Sequence, residues 1–258
     1  MQAPLVPSNA TPMRSLWRGD KIMGQILIIK TGQTLPSLLS RRGDFEHWIL
    51  SGMQVDAARV MIVDVHNGAP LPNYGKLSGI VITGSHAMVT ERQDWSERTA
   101  KWLPGAVDRG VPILGICYGH QLLARALGGE VGDNPKGRHF GTVEVALHKN
   151  AKGDALLGDF SSPIQVHVGH TQSVLRLPDC AKRLACSDMD PNQAFVVGDS
   201  AWGVQFHPEF DADIMIEYID HYRKVLREQD LNPDRLIESC RDTPYGSEIL
   251  KRFAKLLG

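Results

Sequence analysis

Cysteine is scarce in this chain, with four among 258 residues. Cys117, Cys180, Cys186 and Cys240 are irregularly spaced and form no Cys-x-x-Cys pair. Zinc sites and disulfide frameworks both rely on recurrent cysteine spacings, so the sequence argues against either. We therefore expect reduced thiols, no metal, and a cytoplasmic location.

Long runs of one residue type are also missing. The formal net charge is -1, and the basic pairs Arg41-Arg42 and Lys251-Arg252 are too short for a polyanion-binding patch. No apolar run approaches the length of a membrane span, and Ile26 to Ile29 is too short for the core of a signal peptide. We expect neither nucleic acid nor a membrane as partner. No cofactor is expected either, since Gly68 to Lys76 lacks the spacing of a phosphate loop.

Proline and hydrophobic periodicity divide the chain into three parts. Residues 1–24 hold three prolines and no periodicity, which predicts a disordered tail and leaves Met23 as an alternative start to Met1. Residues 25–230 form the main predicted domain. Residues 231–258 predict two short helices, whose apolar stripe either docks on that domain or binds a partner.

Short apolar strands alternate with helices in the first half of the domain. The strands are predicted at 25–30, 59–65, 79–83 and 111–116, and the helices at 44–53, 94–108 and 118–127. This alternation predicts an α/β fold with a parallel sheet covered on both faces. Asp94 and Glu97 are spaced as a capping box, Pro104 should kink or split its helix, and Gly128 should end the next one.

The second half of the domain has a different pattern. Segments 142–147, 164–168, 194–197 and 202–206 read as strands with turns and little helix between them, which predicts antiparallel additions to the sheet. A helix is predicted at 213–229. Because function in such sheets gathers at the carboxyl ends of parallel strands, candidate residues are sought there.

Cys117 lies between two glycines where a predicted strand turns into a predicted helix. Gly115-Ile-Cys-Tyr-Gly119 is the thiol version of the nucleophile elbow, a turn so sharp that its neighbours must lack side chains. The elbow presents the sulfur at the strand's carboxyl end, and the helix N-terminus favours a thiolate there. The pattern predicts a nucleophilic cysteine.

A cysteine nucleophile needs a base, and the base needs an orienting group. His207 and Glu209 stand two apart at the end of a predicted strand. In an extended segment such residues face the same side, so Glu209 can hold one imidazole nitrogen while His207 presents the other to Cys117. By the same alternation, His167 and His170, three apart, point to opposite faces and do not predict a metal site.

The pairing of GICYGHQLLARALGG with WGVQFHPEF resembles the class I (triad) glutamine amidotransferases, over most of residues 25–210. Stand-alone domains similar to the amidotransferase part of GMP synthase are the nearest likeness. The resemblance implies a flavodoxin-like three-layer fold and hydrolysis of L-glutamine to glutamate and ammonia. Cys117 would form a γ-glutamyl thioester, His207 would act as base and then acid, and Glu209 would orient His207.

The same resemblance implies further site residues. An oxyanion hole of backbone N–H donors would be formed by Tyr118, after the nucleophile, and by Gly84 in the turn after an earlier strand. This chain has Gly84-Ser85-His86 where the family often has Gly-Gly-Pro.

Substrate-binding positions follow from the likeness as well. Gln121 matches a position that contacts the substrate glutamine. His170, Thr171 and Gln172 match a loop that binds the substrate backbone. The alternative for these three is a loop that only packs under the site.

Three functions remain open from the sequence. The first is a glutaminase that supplies ammonia to a separate synthetase or other acceptor enzyme. The second is a hydrolase of γ-glutamyl peptides or conjugates, which shares the same thioester chemistry. The third is an inactive domain that binds a partner, which the three triad residue types argue against. DJ-1-like proteins also carry an elbow cysteine but lack the late Phe-His-Pro-Glu stretch.

Overall fold

The apolar segments predicted as buried strands form the parallel half of a nine-stranded sheet in a computed structural model that describes residues 24–258. The strands are β1 (Gln25–Lys30), β2 (Val60–Asp64), β3 (Leu77–Ile82), β4 (Ile113–Ile116), β5 (Glu130–Asp133), β6 (His139–Leu147), β7 (Ile164–His170), β8 (Gln172–Arg176), β9 (Ala181–Cys186), β10 (Ala194–Val197) and β11 (Ala201–Val204). The predicted tail, residues 1–24, lies outside the described residues except for Gly24, and so does Met23.

The large sheet has the order β2-β1-β3-β4-β11-β10-β9-β6-β7. The five strands from β2 to β11 are parallel, and β10, β9, β6 and β7 continue the sheet in antiparallel pairing. β5 and β8 form a separate antiparallel pair. The predicted mostly parallel sheet with antiparallel additions is therefore confirmed, although β5, β8 and β9 were not predicted as strands.

Helices cover both faces of the sheet and extend beyond it. They are α1 (Pro36–Arg42), α2 (Phe45–Met53), α3 (Asp94–Val107), α4 (Tyr118–Ala126), α5 (Ala212–His221), α6 (Arg223–Glu228), α7 (Pro233–Ser239) and α8 (Pro244–Leu256). Within residues 24–258, no helix combines the length and the apolar character needed to cross a bilayer.

Three details of the helices differ from expectation. The predicted helix 213–229 is two helices, α5 and α6, because Tyr222 between them has a non-helical backbone (φ −92°, ψ 10°). Pro104 does not split α3: it removes one N–H donor, but the helix continues to Val107, and Asp108 donates its N–H to the Pro104 carbonyl. The prediction of a capping box is wrong. Gln93 precedes the first turn of α3 without a side-chain cap, and Glu97 pairs with Arg125 of α4.

Gly128 ends α4 as predicted, with a left-handed backbone (φ 94°) just after the last turn. The apolar stripe of α8 packs on the domain. Leu250 lies over Gly52 of α2, Leu257 lies over Gly79 of β3, and Phe253 is fully buried. The apolar face of α8 is therefore covered by the domain of the same chain.

A buried charge network joins β1 to α2. Lys30 donates to Asp44 at 2.6 Å and to Glu46 at 2.8 Å. Asp44 is 1% exposed and also accepts from the backbone N–H groups of Thr34 and Phe45. The network fixes the N-terminus of α2, and with it the position of the Phe45 ring.

Replacing Asp44 by Ala should destabilise the fold strongly. The change leaves Lys30 with one carboxylate partner and two backbone N–H groups without an acceptor. We expect the free energy of unfolding, measured by urea titration, to fall by about 3–5 kcal/mol. Asp56→Ala is the matched control, because Asp56 caps only a short exposed turn through Ala58 and should cost about 1 kcal/mol. Equal losses would contradict this role of the network.

Candidate active site

Cys117 is the single residue that joins β4 to α4. Its backbone has φ 49° and ψ −97°, a combination that L-residues rarely adopt. Such strain persists only where the surrounding structure enforces it, and it is typical of functional positions. The side chain is 6% exposed and lines a pocket at the carboxyl edge of the parallel strands.

The glycines on either side of Cys117 are required by close backbone contacts. A Cβ at Gly115 would lie 2.5 Å from the carbonyl oxygen of Gly119. A Cβ at Gly119 would collide with the carbonyl oxygen of Ile82 in β3. The elbow motif thus reflects how tightly α4 approaches β3 and β4.

Gln205 donates its amide to the sulfur of Cys117, with 3.6 Å between Nε2 and Sγ. Its own Oε1 accepts from Gln121 at 3.1 Å, and the side chain is fully buried. Gln205 was not among the residues predicted from the sequence. The signal was there, because Gln205, His207 and Glu209 alternate along one extended segment and therefore share a side.

His207 and Glu209 form the expected pair, with 2.8 Å between Nδ1 and Oε1. Because the carboxylate accepts, Nδ1 carries the proton and Nε2 is left for Cys117. Burial lowers the pKa of His207, but the charge of Glu209 and the charge and hydrogen bond of Cys117 outweigh it, so the pKa is raised above its usual 6.5. The arrangement favours an imidazolium beside the sulfur.

Aromatic rings fix the plane of the His207 imidazole. It stacks on Phe210 with centroids 4.1 Å apart, and Phe45 lies nearly parallel at 6.5 Å. On another side, a Cβ at Gly84 would lie 3.1 Å from the imidazole Cε1. The ring is held by close packing as well as by Glu209.

The turn after β3 places backbone donors beside the pocket. The Gly84 carbonyl accepts from the hydroxyls of Thr31 at 2.9 Å and Thr83 at 3.0 Å. Since the C=O and N–H of one peptide point in opposite directions, the Ser85 N–H faces away from these hydroxyls. Among the described residues, no acceptor takes the backbone N–H of Gly84, Ser85 or Tyr118. Ser85, which was not predicted as a donor from the sequence, lines the pocket together with Tyr118, whereas Gly84 is not among the lining residues.

His86 completes the turn in place of the proline common in the family. Its Nδ1 lies 2.8 Å from the Tyr222 hydroxyl, and its Nε2 lies 3.3 Å from that of Tyr218. Ser85 Oγ accepts from the Ala87 N–H at 3.1 Å. Gly-Ser-His lacks the proline that would restrict the backbone of this turn. Side-chain hydrogen bonds hold its conformation instead.

Gln121 lines the pocket but is largely engaged by the protein. Its Nε2 donates to the Gln172 carbonyl at 2.7 Å and to Gln205 Oε1 at 3.1 Å. With both amide hydrogens used, its Oε1 is the atom left for a ligand donor.

His170, Thr171 and Gln172 also line the pocket. His170 Nδ1 donates to the Gln172 carbonyl at 3.0 Å, and burial lowers the pKa of His170 to about 4. The Gln172 side chain is turned to Thr90 and Asp133, at 2.7 and 3.0 Å from its Nε2. The side-chain amide of Gln172 is therefore already engaged within the protein.

His167 does not join His170 in one site. Its Nδ1 lies 3.2 Å from the Thr142 hydroxyl, and burial lowers its pKa to about 4. Across residues 24–258, no group of three or more His, Cys, Asp or Glu side chains is arranged to hold a metal ion.

Residues outside the sequence motifs complete the pocket. Beyond the predicted residues it is lined by Phe45, Ser85, His86, Ala87, Met88, Arg138, Phe140, Gly169, Tyr218 and Tyr222. Of the predicted residues, Gly84 and Glu209 support the pocket from behind, and the other seven line it. The pocket thus combines Cys117, the His207–Glu209 pair and backbone N–H groups without acceptors among the described residues with a wall of aromatic side chains.

Comparison with known proteins agrees with this geometry. Residues 43–219 match the sequence profile of the family described as glutamine amidotransferase class-I. Over 191 residues the chain is 38% identical to the GMP synthase [glutamine-hydrolyzing] of Aeropyrum pernix, covering 74% of this chain and 29% of that protein. Over 212 residues it is 32% identical to gamma-glutamyl peptidase 4 of Arabidopsis thaliana, covering 79% and 82%.

A solved structure of a glutamine amidotransferase from Methylobacillus flagellatus superposes with a TM-score of 0.70 at 21% identity, over 92% of this chain and 96% of that one. This likeness confirms the predicted fold class. The chain spans only 25–29% of the length of the GMP synthases it matches.

Adding one methyl group at Gly119 should disrupt the elbow. Because the Cβ would collide with backbone of β3, Gly119→Ala should lower the free energy of unfolding by roughly 1–3 kcal/mol or more. Gly75→Ala is the control, since a Cβ there meets nothing within 4 Å, and it should be neutral or slightly stabilising. Urea unfolding of both variants checks this, and a Gly119→Ala protein as stable as Gly75→Ala would contradict the tight approach.

Proposed function

The chain belongs to the glutamine amidotransferase class-I family, and from that premise we propose that it hydrolyses the side-chain amide of L-glutamine to glutamate and ammonia. The observation that carries the proposal is the buried Cys117–His207–Glu209 constellation, with Gln205 donating to the sulfur. The strained presentation of Cys117 beside free backbone donors supports acyl transfer.

The first half of the reaction forms the thioester. His207 holds the proton taken from Cys117, and the thiolate attacks the amide carbon of the substrate. The resulting oxyanion accepts hydrogen bonds from the Tyr118 N–H and from the turn at Gly84 and Ser85. When the tetrahedral intermediate collapses, the C–N bond breaks and His207 gives its proton to the departing ammonia.

The second half returns the enzyme to its starting state. Water attacks the thioester carbon while His207 accepts a proton from it. The C–S bond then breaks, glutamate leaves, and the proton on His207 again faces the Cys117 thiolate. Glu209 keeps the imidazole oriented and stabilises its charge in both halves.

We extend the proposal to an ammonia acceptor. The GMP synthases that this chain resembles are named as glutamine-hydrolysing synthases, so hydrolysis and synthesis are coupled in them. By analogy, a synthetase partner would receive the ammonia produced at Cys117.

Hydrolysis of γ-glutamyl peptides is the second candidate. Its support is the match to gamma-glutamyl peptidase 4, which extends over most of both chains. The chemistry at Cys117 would be unchanged, because both substrate classes present the same γ-glutamyl carbonyl and differ only in the leaving amine.

Replacing Cys117 by Ala should abolish turnover. We expect release of glutamate from L-glutamine or γ-glutamyl dipeptides to fall roughly 10⁴–10⁶-fold, as for other catalytic nucleophiles. Cys180→Ala, a change at an exposed cysteine, is the matched control and should be fully active. Equal loss of turnover in both variants would contradict the assignment of Cys117 as the nucleophile. Turnover of dipeptides but not of glutamine would favour the second candidate.

Replacing Glu209 by Gln should shift the pH profile. The Glu209 carboxylate raises the pKa of His207, so its loss should let the imidazolium deprotonate at lower pH. We expect the alkaline limb of kcat/KM to move to lower pH and the maximum to fall roughly 10²–10⁴-fold. An alkaline limb at the wild-type position would show that Glu209 does not set the charge of His207.

A further inference from the structure

Arg138 is a cation of the pocket that lacks an anionic partner. Its Nε donates to Gln229 Oε1 at 3.2 Å, and its guanidinium carbon lies 5.7 Å from the centre of the Tyr222 ring. Within the part of the chain that the structure describes, its terminal nitrogens meet no hydrogen-bond acceptor and it forms no ion pair.

Several other partly buried arginines are neutralised by carboxylates, although within residues 24–258 Arg59 and Arg183 are not. Arg42 pairs with Asp211, Arg125 pairs with Glu97, and Arg252 pairs with Glu248. Arg138 differs because its neighbours are aromatic or neutral, and burial lowers its pKa without a compensating carboxylate. Burying part of a cation costs free energy unless an anion or hydrogen-bond acceptor arrives to offset it.

The charge of Arg138 is not offset within the pocket. No Asp or Glu is among the described lining residues, and the Glu209 carboxylate behind the pocket is already paired with His207. A ligand with negative charge is therefore favoured.

Arg138 lies close to the substrate-facing strands. It directly precedes β6, whose first residue, His139, pairs with His170 of β7. Arg138 therefore stands next to the His170–Gln172 segment, which lines the same pocket as Cys117. Arg138 and Cys117 are thus both lining residues of one pocket.

We propose that Arg138 binds a carboxylate of the substrate and so determines which γ-glutamyl compounds are accepted. The inference rests on the proposed γ-glutamyl chemistry at Cys117. The two terminal nitrogens of a guanidinium match the two oxygens of a carboxylate, and Nε is already anchored by Gln229. Two sources carry this group: the α-carboxylate of the glutamyl moiety, and the carboxylate of an amino acid leaving group.

Four substrates separate the two sources. L-glutamine and γ-glutamyl-methylamide carry only the α-carboxylate, γ-glutamyl-glycine carries both, and glutamine α-amide carries neither. If Arg138 holds the α-carboxylate, Arg138→Gln should lower kcat/KM roughly 10- to 100-fold, mainly through KM, on the first three and not on the α-amide. If Arg138 holds the leaving-group carboxylate, kcat/KM should fall only for γ-glutamyl-glycine.

Two further variants control the experiment. Arg183→Gln is the matched control, because Arg183 is also partly buried, also donates Nε to a side-chain amide, at 3.1 Å on Asn192, and does not line the pocket. Arg183→Gln should leave kcat/KM unchanged for all four substrates. Arg138→Lys keeps the charge without the paired nitrogens and should restore part of the lost kcat/KM. An unchanged urea midpoint shows that the Arg138 variants are folded.

A binding measurement separates failure of this inference from failure of the proposed function. Calorimetric titration of γ-glutamyl-glycine and L-glutamate into Cys117→Ala protein, with and without Arg138→Gln, needs no turnover. Weaker binding upon loss of Arg138 supports the inference. Wild-type turnover with Kd and KM unaffected by Arg138→Gln overturns the inference alone. Absence of both turnover and binding overturns the two together.

Discussion

The candidate site depends on one backbone constraint, the single-residue junction at Cys117 between β4 and α4. To turn there, the chain adopts a positive φ and brings α4 so close to β3 that Gly119 has no room for a side chain. Because β4 lies between β3 and β11 in the sheet, their carboxyl ends open at the same place. The turn at Gly84 and the segment from Gln205 to Glu209 therefore arrive on either side of the sulfur.

Buried charge is the second feature on which the candidate site depends. His207 and Glu209 are both less than one-tenth exposed, and the second oxygen of Glu209 has no hydrogen-bond partner among the described residues. A charged imidazole offsets the carboxylate there, so the pair stabilises the protonated base that acyl transfer requires. The Lys30–Asp44 pair supports this from behind, since it fixes the start of α2 and places Phe45 against the imidazole.

The outer wall of the pocket includes residues of α5 and the position after it, which follow the segment from Gln205 to Glu209. Tyr218 of α5 and Tyr222 at its end reach the His86 ring, and Tyr222 also lies over Arg138. These contacts join the turn after β3, the residue before β6 and the end of α5 into one surface. In the proposed enzyme the chemistry would be set by the strand ends, whereas the choice of leaving group and carboxylate would be set by this wall.

The sequence by itself determined the fold class, the elbow at Cys117 and the partnership of His207 with Glu209. Each follows from local rules: apolar periodicity, glycine at a turn without room, and alternation along an extended segment. Only the tertiary structure decided that Gln172 turns its amide to Thr90 and Asp133, and that Arg138 enters the pocket without a carboxylate. It also decided that Tyr222 breaks the last long helix of the domain. Such features depend on contacts between side chains that are far apart in the sequence. Local sequence patterns do not specify those contacts.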